Sequence, residues 1–320
     1  MKTKNTLIVA ATTFAAIGLQ AASSTAPINI DTVKVGNAGN LADTGGTVSL
    51  GAVNYDYYIG TTEVTAGQYT AFLNAVASTS DVNDLYNVNM FNNEHGCGIQ
   101  KTTVDGVSTY TVTKGDNMPV NYVSVYDAMR FCNWLSTGNT EIGVYTFTGA
   151  NDISLVVRND AAWQAGGIAI ASLDEWYKAA FYQGNGTYSM YANGTNTAPT
   201  ADEANYNISG IDTITDVDFG ATSHYGTYGQ NGNVWEWTDT VTGVTTTNVY
   251  RRGGGFLSTA PTLEAANNNA FGITAYETFD YGFRVVSLQP IPEPSTYAAI
   301  FGALALAVAA YRKRSIAPKK

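Results

Sequence analysis

Histidine and cysteine are scarce in this 320-residue chain, two of each, and the scarcity closes several functional classes. His95 and His224 sit in polar stretches with no triad-like context, so a serine nucleophile would lack a base. Their spacing offers no iron triad either, and Cys97 and Cys132 have no histidine at zinc-ligand spacing. Cations are few as well. Seven of the 16 lie among the first four and last nine residues, so residues 5–311 hold nine against 26 carboxylates, a balance of −17. That excess argues against nucleic acid and anionic membrane surfaces as partners. It suits a solvated exterior or bound divalent cations. No Gly-Lys-[Ser/Thr] follows Arg252-Gly253-Gly254-Gly255, which excludes a phosphate loop. Charged residues make up 13% against the ~25% usual for soluble domains, with Gly, Thr, Asn and Tyr filling the difference, as in surface proteins.

The two ends read as addresses. Lys2 and Lys4 precede an apolar run from Leu7 to Leu19 and then Ala21, Ala22 and Ser23, the pattern of a secretory signal over residues 1–22. At the other end Ile291-Pro292-Glu293-Pro294-Ser295 leads into an apolar run from Tyr297 to Tyr311, closed by Arg312-Lys313-Arg314. Fifteen helical residues at about 1.5 Å each span about 22 Å, short of the ~30 Å hydrocarbon core. The three cations would hold that end on the cytoplasmic side. Together these parts resemble a PEP-CTERM sorting signal over 290–314, the tail of bacterial proteins handled by exosortases. The resemblance implies export, membrane anchoring through a short transmembrane helix, cleavage near Pro-Glu-Pro and transfer to the cell surface or extracellular matrix. An ordinary tail anchor is the alternative. In an exported chain Cys97 and Cys132 can pair, while Cys132 equally suits a small buried position in a helix.

Between the ends, Tyr55 to Gly60 reads as a strand. Three segments carry helix-start chemistry: Thr65 with Gln68 opens 64–77, Ser124 with Asp127 opens 125–135, and Ser172 with Glu175 opens 173–182. In each, a hydroxyl can cap free amides while the residue three on reaches back. Apolar residues then recur at helical spacing, as in Tyr69, Phe72, Leu73 and Val76. Long Gly/Asn/Thr-rich stretches at 78–118 and 183–228 separate these helices, and without repeat or Pro-rich linker the middle is one domain over 30–288.

Six residues, Gly232-Asn233-Val234-Trp235-Glu236-Trp237, form the most specific motif, followed by Arg252-Gly253-Gly254-Gly255-Phe256 and Gly282-Phe283-Arg284-Val285. Glycine and asparagine make a tight turn, and alternation puts Trp235 and Trp237 on one face with Glu236 on the other. With Glu63-Val64-Thr65, Pro119 to Ser124 and Asp174-Glu175-Trp176, these motifs resemble the formylglycine-generating enzymes, or sulfatase-modifying factors. The resemblance covers most of the middle. It implies an irregular, loop-rich α+β fold with a C-type-lectin-like core.

The resemblance also implies a calcium ion held by the carbonyls of Gly232 and Val234 and the carboxylate of Glu236; a structural turn with two core tryptophans is the alternative. Gly229 stands where the family often has an asparagine ligand. A second implied calcium site uses Asn205 and the carbonyl of Tyr206, with its acid open among Asp212, Asp216 and Asp218. The family's oxidases hold copper(I) on two cysteines, whose positions here read Ser258 and Leu263, so no copper is expected. Arg284 suits a structural partner for a buried carboxylate or carbonyl. The expectation is a calcium-holding, non-oxidising binding module for extracellular polysaccharide or peptide. Its Tyr/Asn/Gly loops have the composition of adaptable recognition surfaces. An enzyme of the same fold with another reaction and a structural matrix component are the alternatives.

Overall fold

The computed structural model describes residues 28–291 except 47, 149–150, 152–155, 244–247 and 268–270. The 1–22 signal and all but the first two residues of the 290–314 tail lie outside the described residues. No helix among the described residues is long and apolar enough to cross a membrane.

In chain order the elements are β1 (Thr32–Val35), β2 (Tyr57–Gly60), α1 (Ala66–Val76), α2 (Asn89–Asn92), β3 (Ile99–Val104), β4 (Val107–Val112), α3 (Val125–Thr137) and α4 (Asp160–Gln164). There follow β5 (Ala169–Ile170), α5 (Leu173–Phe181), β6 (Trp235–Val241), β7 (Asn248–Arg252), α6 (Ala260–Leu263), β8 (Phe271–Ile273), β9 (Tyr281–Phe283) and β10 (Val285–Ser287). The expected α+β character and loop richness hold. All three expected helices form, and each opens with a reciprocal capping box: Thr65/Gln68, Ser124/Asp127 and Ser172/Glu175. α3 stops at Gly138, whose left-handed backbone donates its amide to Trp134.

Two four-stranded sheets, ordered β1-β2-β10-β5 and β8-β7-β6-β9, form the frame, and β3-β4 stands apart as a hairpin. β9 runs parallel to β6, pairing Glu236 with Gly282, whereas β10 pairs with β2 and β5 in the other sheet. One residue, Arg284, separates β9 from β10, so it marks the point where the chain crosses from sheet to sheet. The helices pack on this frame through aromatic rings. Phe131 of α3 stacks at 6.0 Å on Tyr69 of α1 and meets Phe72 and Phe283 edge-on, each at 5.4 Å. Truncating such a buried ring costs about 3–5 kcal/mol. On β6, in the same sheet as Phe283, Trp237 donates its indole N–H to the Val123 carbonyl at 2.9 Å and lies edge-on to Tyr281.

Both cysteines are buried free thiols, so the paired alternative is not formed. Burial pushes the Cys97 thiol up to about 11 and the Cys132 thiol well above its usual value. Iodoacetamide is therefore expected to leave the native chain unmodified and to add two adducts once it is unfolded. Mass spectrometry before and after denaturant checks this. A two-hydrogen mass deficit would reveal a bridge instead.

Candidate functional site

The turn at Gly232 and Asn233 delivers Glu236 into the protein interior, where it is fully buried. Its Oε2 accepts from Arg284 Nε at 2.5 Å and from Trp176 Nε1 at 2.8 Å, and its Oε1 accepts from Arg284 Nη2 at 2.6 Å. Arg284 also donates to the carbonyls of Gly60 at 3.1 Å and Tyr228 at 2.8 Å. A second carboxylate, Glu63, stands 3.9 Å from Arg284. Its Oε1 accepts from Asn233 Nδ2 at 3.0 Å, and its Oε2 has no hydrogen-bond partner. Burial pushes the Glu63 carboxyl up to about 7; Arg284 pulls it down and Glu236 pushes it up. Two carboxylates thus share one guanidinium in a water-poor interior.

Glycine makes this arrangement possible. Gly232 has φ +105°, and a Cβ there would lie 2.1 Å from the Asn205 carbonyl oxygen. A Cβ on Gly229 would lie 2.3 Å from Glu63 Oε2, so Glu63 fills the space that a side chain at 229 would need.

This geometry can be tested against the implied calcium. A carboxylate has about four lone-pair positions, and Glu236 already spends three on Arg284 and Trp176. Ligation through Glu236 would compete with those donors, whereas Glu63 Oε2, 3.9 Å from Arg284 Nη2, accepts no hydrogen bond. A cavity of about 10 Å³ lies beside it, lined by Asn205, Thr215, Gly229, Asn231 and Asn233 among others. That is room for one water or one ion among oxygen donors. Glu63, Gly232 and Val234 do not line that cavity, and within the carboxylate pair Glu63 Oε2 is the oxygen without a hydrogen-bond donor.

The second implied site is arranged differently from expectation. Asn205 Nδ2 donates to the Thr213 carbonyl at 2.9 Å and to Thr215 Oγ1 and Asn233 Oδ1 at 3.3 Å each. The Tyr206 carbonyl accepts from the Ser209 amide at 2.8 Å. Asp212, Asp216 and Asp218 are all exposed and none bonds to Asn205, because threonines occupy the position expected for the acid. Among the described residues no three His, Cys, Asp or Glu side chains form a metal cluster.

Ser258 and Leu263 do converge, with both side chains lying against Gly254. Ser258 Oγ accepts from the Gly255 amide at 3.0 Å. Leu263 is buried in a small apolar cluster with Tyr191, Ala204 and Tyr206. No hydrogen bond joins either histidine to Ser258 among the described residues. His95 is half-buried, with its Nε2 3.6 Å from Glu94 Oε1. Its ring centroid lies 5.3 Å from Phe256 and 5.6 Å from Phe279, with Nδ1 buried and unpartnered.

Sequence reasoning missed the roles of Arg158, which is half-buried, and Arg252, which is buried. Arg158 joins Glu175 and Asp239, each at 2.6 Å, and holds Glu175 below the usual carboxylate range against the upward push of burial. Arg252 turns inward onto the Ala265 carbonyl at 3.0 Å and the faces of Trp176, Tyr177 and Phe181, with no acid partner among the described residues. The one readable signal was the capping-box glutamate, Glu175, whose second role needs the fold.

Removing one partner from the Arg284 cluster leaves an uncompensated buried charge. Glu236→Gln is expected to lose about 3–5 kcal/mol in urea unfolding. Glu63→Gln should lose much less, because Glu63 holds a weaker contact and an unsatisfied oxygen. Equal losses would show that the two carboxylates share Arg284 evenly.

Residues 32–288 match the Sulfatase-modifying factor enzyme 1-like domain family. The crystal structure of CarF aligns with TM-score 0.59 and 23% identity over 82% of this chain and 99% of that one. Treponema denticola variable protein 1 aligns with TM-score 0.55 and 21% identity over 83% and 98%. PvdO from Pseudomonas aeruginosa aligns with TM-score 0.50 and 14% identity over 81% and 91%. At these identities the likeness is one of fold. No curated protein matches the chain.

Proposed function

The chain belongs to the sulfatase-modifying factor enzyme 1-like family, and from that premise we propose that it is an exported, surface-sorted binding module rather than an oxidase. The observation that carries this reading is the turn at Gly254. By resemblance Ser258 and Leu263 stand where the family's oxidases carry their two cysteines, and both side chains lie against Gly254. Copper(I) needs soft thiolate ligands. Here one position holds a hydroxyl bonded to its own turn, and the other holds an apolar side chain packed on Tyr191 and Tyr206. Neither buried thiol is near the turn in sequence, and both are engaged in the core.

Calcium is the proposed resident ion, held by the Gly232 and Val234 carbonyls with the free oxygen of Glu63. Bound there it would offset the surplus buried carboxylate and fix the 205 and 229–236 loops relative to one another. The proposed ligand is an extracellular polysaccharide or peptide, presented to the Tyr/Asn/Gly loops between the helices. The signal and sorting segments would carry the domain to the cell surface, with exosortase-type machinery as processing partner.

The test uses residues 23–290, secreted into an oxidising compartment and sedimented with the host's extracellular polysaccharide, with calcium and again with a chelator. Calcium-dependent retention, lost in Glu63→Gln, is the expected result. A parallel incubation with copper(I) and a cysteine-bearing sulfatase peptide should leave the peptide mass unchanged. Conversion of that cysteine to an aldehyde would overturn the non-oxidising reading. Absence of retention in both buffers would remove the polysaccharide and leave peptide ligands.

A further inference from the structure

Arg251 is half-buried, with its guanidinium carbon 4.1 Å from the ring centroid of Trp235 and 4.5 Å from that of Tyr281. Its Nε donates to the Phe271 carbonyl at 3.3 Å. No ion pair reaches it among the described residues, and neither Nη1 nor Nη2 makes a hydrogen bond there. Every other arginine among the described residues engages a terminal nitrogen: Arg130 and Arg158 on carboxylates, Arg252 on a carbonyl, Arg284 on both. Two rings thus hold the Arg251 cation in place and leave its outer edge unsatisfied.

Its neighbours repeat the pattern. Trp235 is 8% exposed, Tyr281 7% and Tyr122 6%. Buried indoles and phenols usually find a hydrogen-bond partner. Neither the Trp235 N–H nor the hydroxyls of Tyr122 and Tyr281 has one among the described residues, yet none of these three atoms is sealed from solvent. Each side chain is packed away and shows only its polar tip. Asp280 adds an acceptor: its Oδ1 takes a hydrogen bond from Thr278 Oγ1 at 3.3 Å, and its Oδ2 takes none. The Trp235 amide donates to the Asp280 carbonyl at 2.6 Å, which fixes the two residues together. A Cβ on Gly255 would lie 3.3 Å from Asp280 Oδ2 and 3.4 Å from Trp235 Cδ1, so the acid and the N–H edge of the indole meet at this glycine. Burial and the Asp280 charge both push the Tyr122 hydroxyl up, which brings that phenol within electrostatic reach of the same acid.

The donor set narrows the ligand. Nη1 and Nη2 of Arg251 form a fork that matches the two oxygens of a carboxylate. The remaining groups match hydroxyls, because phenols give and accept, an indole gives and a carboxylate accepts. A uronic acid unit carries one carboxylate and several hydroxyls on a single ring, whereas an acidic peptide offers the carboxylate alone. The formal charge of −10 repels a polyanion at long range. Recognition therefore has to come from contact.

We propose that this patch binds a uronic acid unit of a polysaccharide, its carboxylate on Arg251 and its hydroxyls on Asp280, Trp235, Tyr122 and Tyr281. The assignment rests on the reading of the domain as a binding module and names the sugar it takes. The test titrates the purified full chain calorimetrically, in neutral detergent at about 150 mM salt, with trigalacturonate, trimannuronate, their methyl esters and triglutamate. At least one uronate trimer should bind, and its methyl ester should bind about tenfold or more weakly. Arg251→Gln should weaken binding by about tenfold or more. Arg251→Lys keeps the charge but not the fork, so it should weaken binding by about threefold or more at an unchanged melting temperature. Lys101→Gln removes a cation from the β3–β4 hairpin and should leave affinity within about twofold. Failure of both trimers to bind, no loss on esterification, or equal losses in Arg251→Gln and Lys101→Gln overturns the assignment. Triglutamate binding as tightly as the trimers overturns it in favour of an acidic peptide. Host-polysaccharide retention undiminished in Arg251→Gln overturns the uronate site alone and leaves the module reading standing.

Discussion

Arg284 sits at the single-residue step between two sheets, and its charge is shut away from water. A guanidinium in that position has N–H groups to satisfy and a charge to balance, and a failure in either costs several kcal/mol. The acceptors it finds come from different parts of the frame: Glu236 on β6, Gly60 at the end of β2 and Tyr228 in the long loop before β6. Sliding or parting of the sheets would strip these partners from a charge that has no route to solvent. Sheet packing, the turn at Gly232 and the placement of Trp176 through Glu236 all follow from holding this one side chain. A salt bridge of this kind adds little net stability over a well-packed apolar substitute. Its contribution is to penalise every wrong registration.

The long loops are held by another device. Side-chain amides take over the work that ladders do elsewhere, because backbone groups in buried loops need partners. Asn121 accepts from the Cys97 amide and donates to the carbonyls of His95 and Phe279, joining segments nearly 160 residues apart. Asn133 bonds both the amide and the carbonyl of Tyr145. Asn231 accepts from the Ala192 amide, while Asn233 receives the Thr215 amide. An asparagine-rich composition that resembles disordered linker is, in this setting, the cross-bracing of an irregular fold.

What was legible in the sequence divides along sequence separation. The helix starts at Thr65, Ser124 and Ser172 could be read because a capping box is complete within four residues. The three motif glycine runs and the alternation of Trp235, Glu236 and Trp237 are equally local. The meeting of Glu63 with Arg284 spans more than 200 positions, and no periodicity announces it. Nor could the sequence tell that Glu63 takes the space left by Gly229, or that His95 turns onto Phe256 and Phe279. The acid beside Asn205 stayed open among three residues in the sequence, and in the fold the Asn205 amide bonds Thr213 and Thr215. Arg252 was readable as not phosphate-binding, but not as a cation turned inward onto carbonyls and ring faces.

Both thiols lie deep in the interior, with proton affinities that suppress the reactive thiolate at neutral pH. Covalent cross-links therefore play no part in holding the described domain together. A protein so built reaches its native state without help from oxidative folding catalysts and offers no sulfur for mispairing with neighbours. The fold of the described domain is therefore indifferent to the redox state of its surroundings.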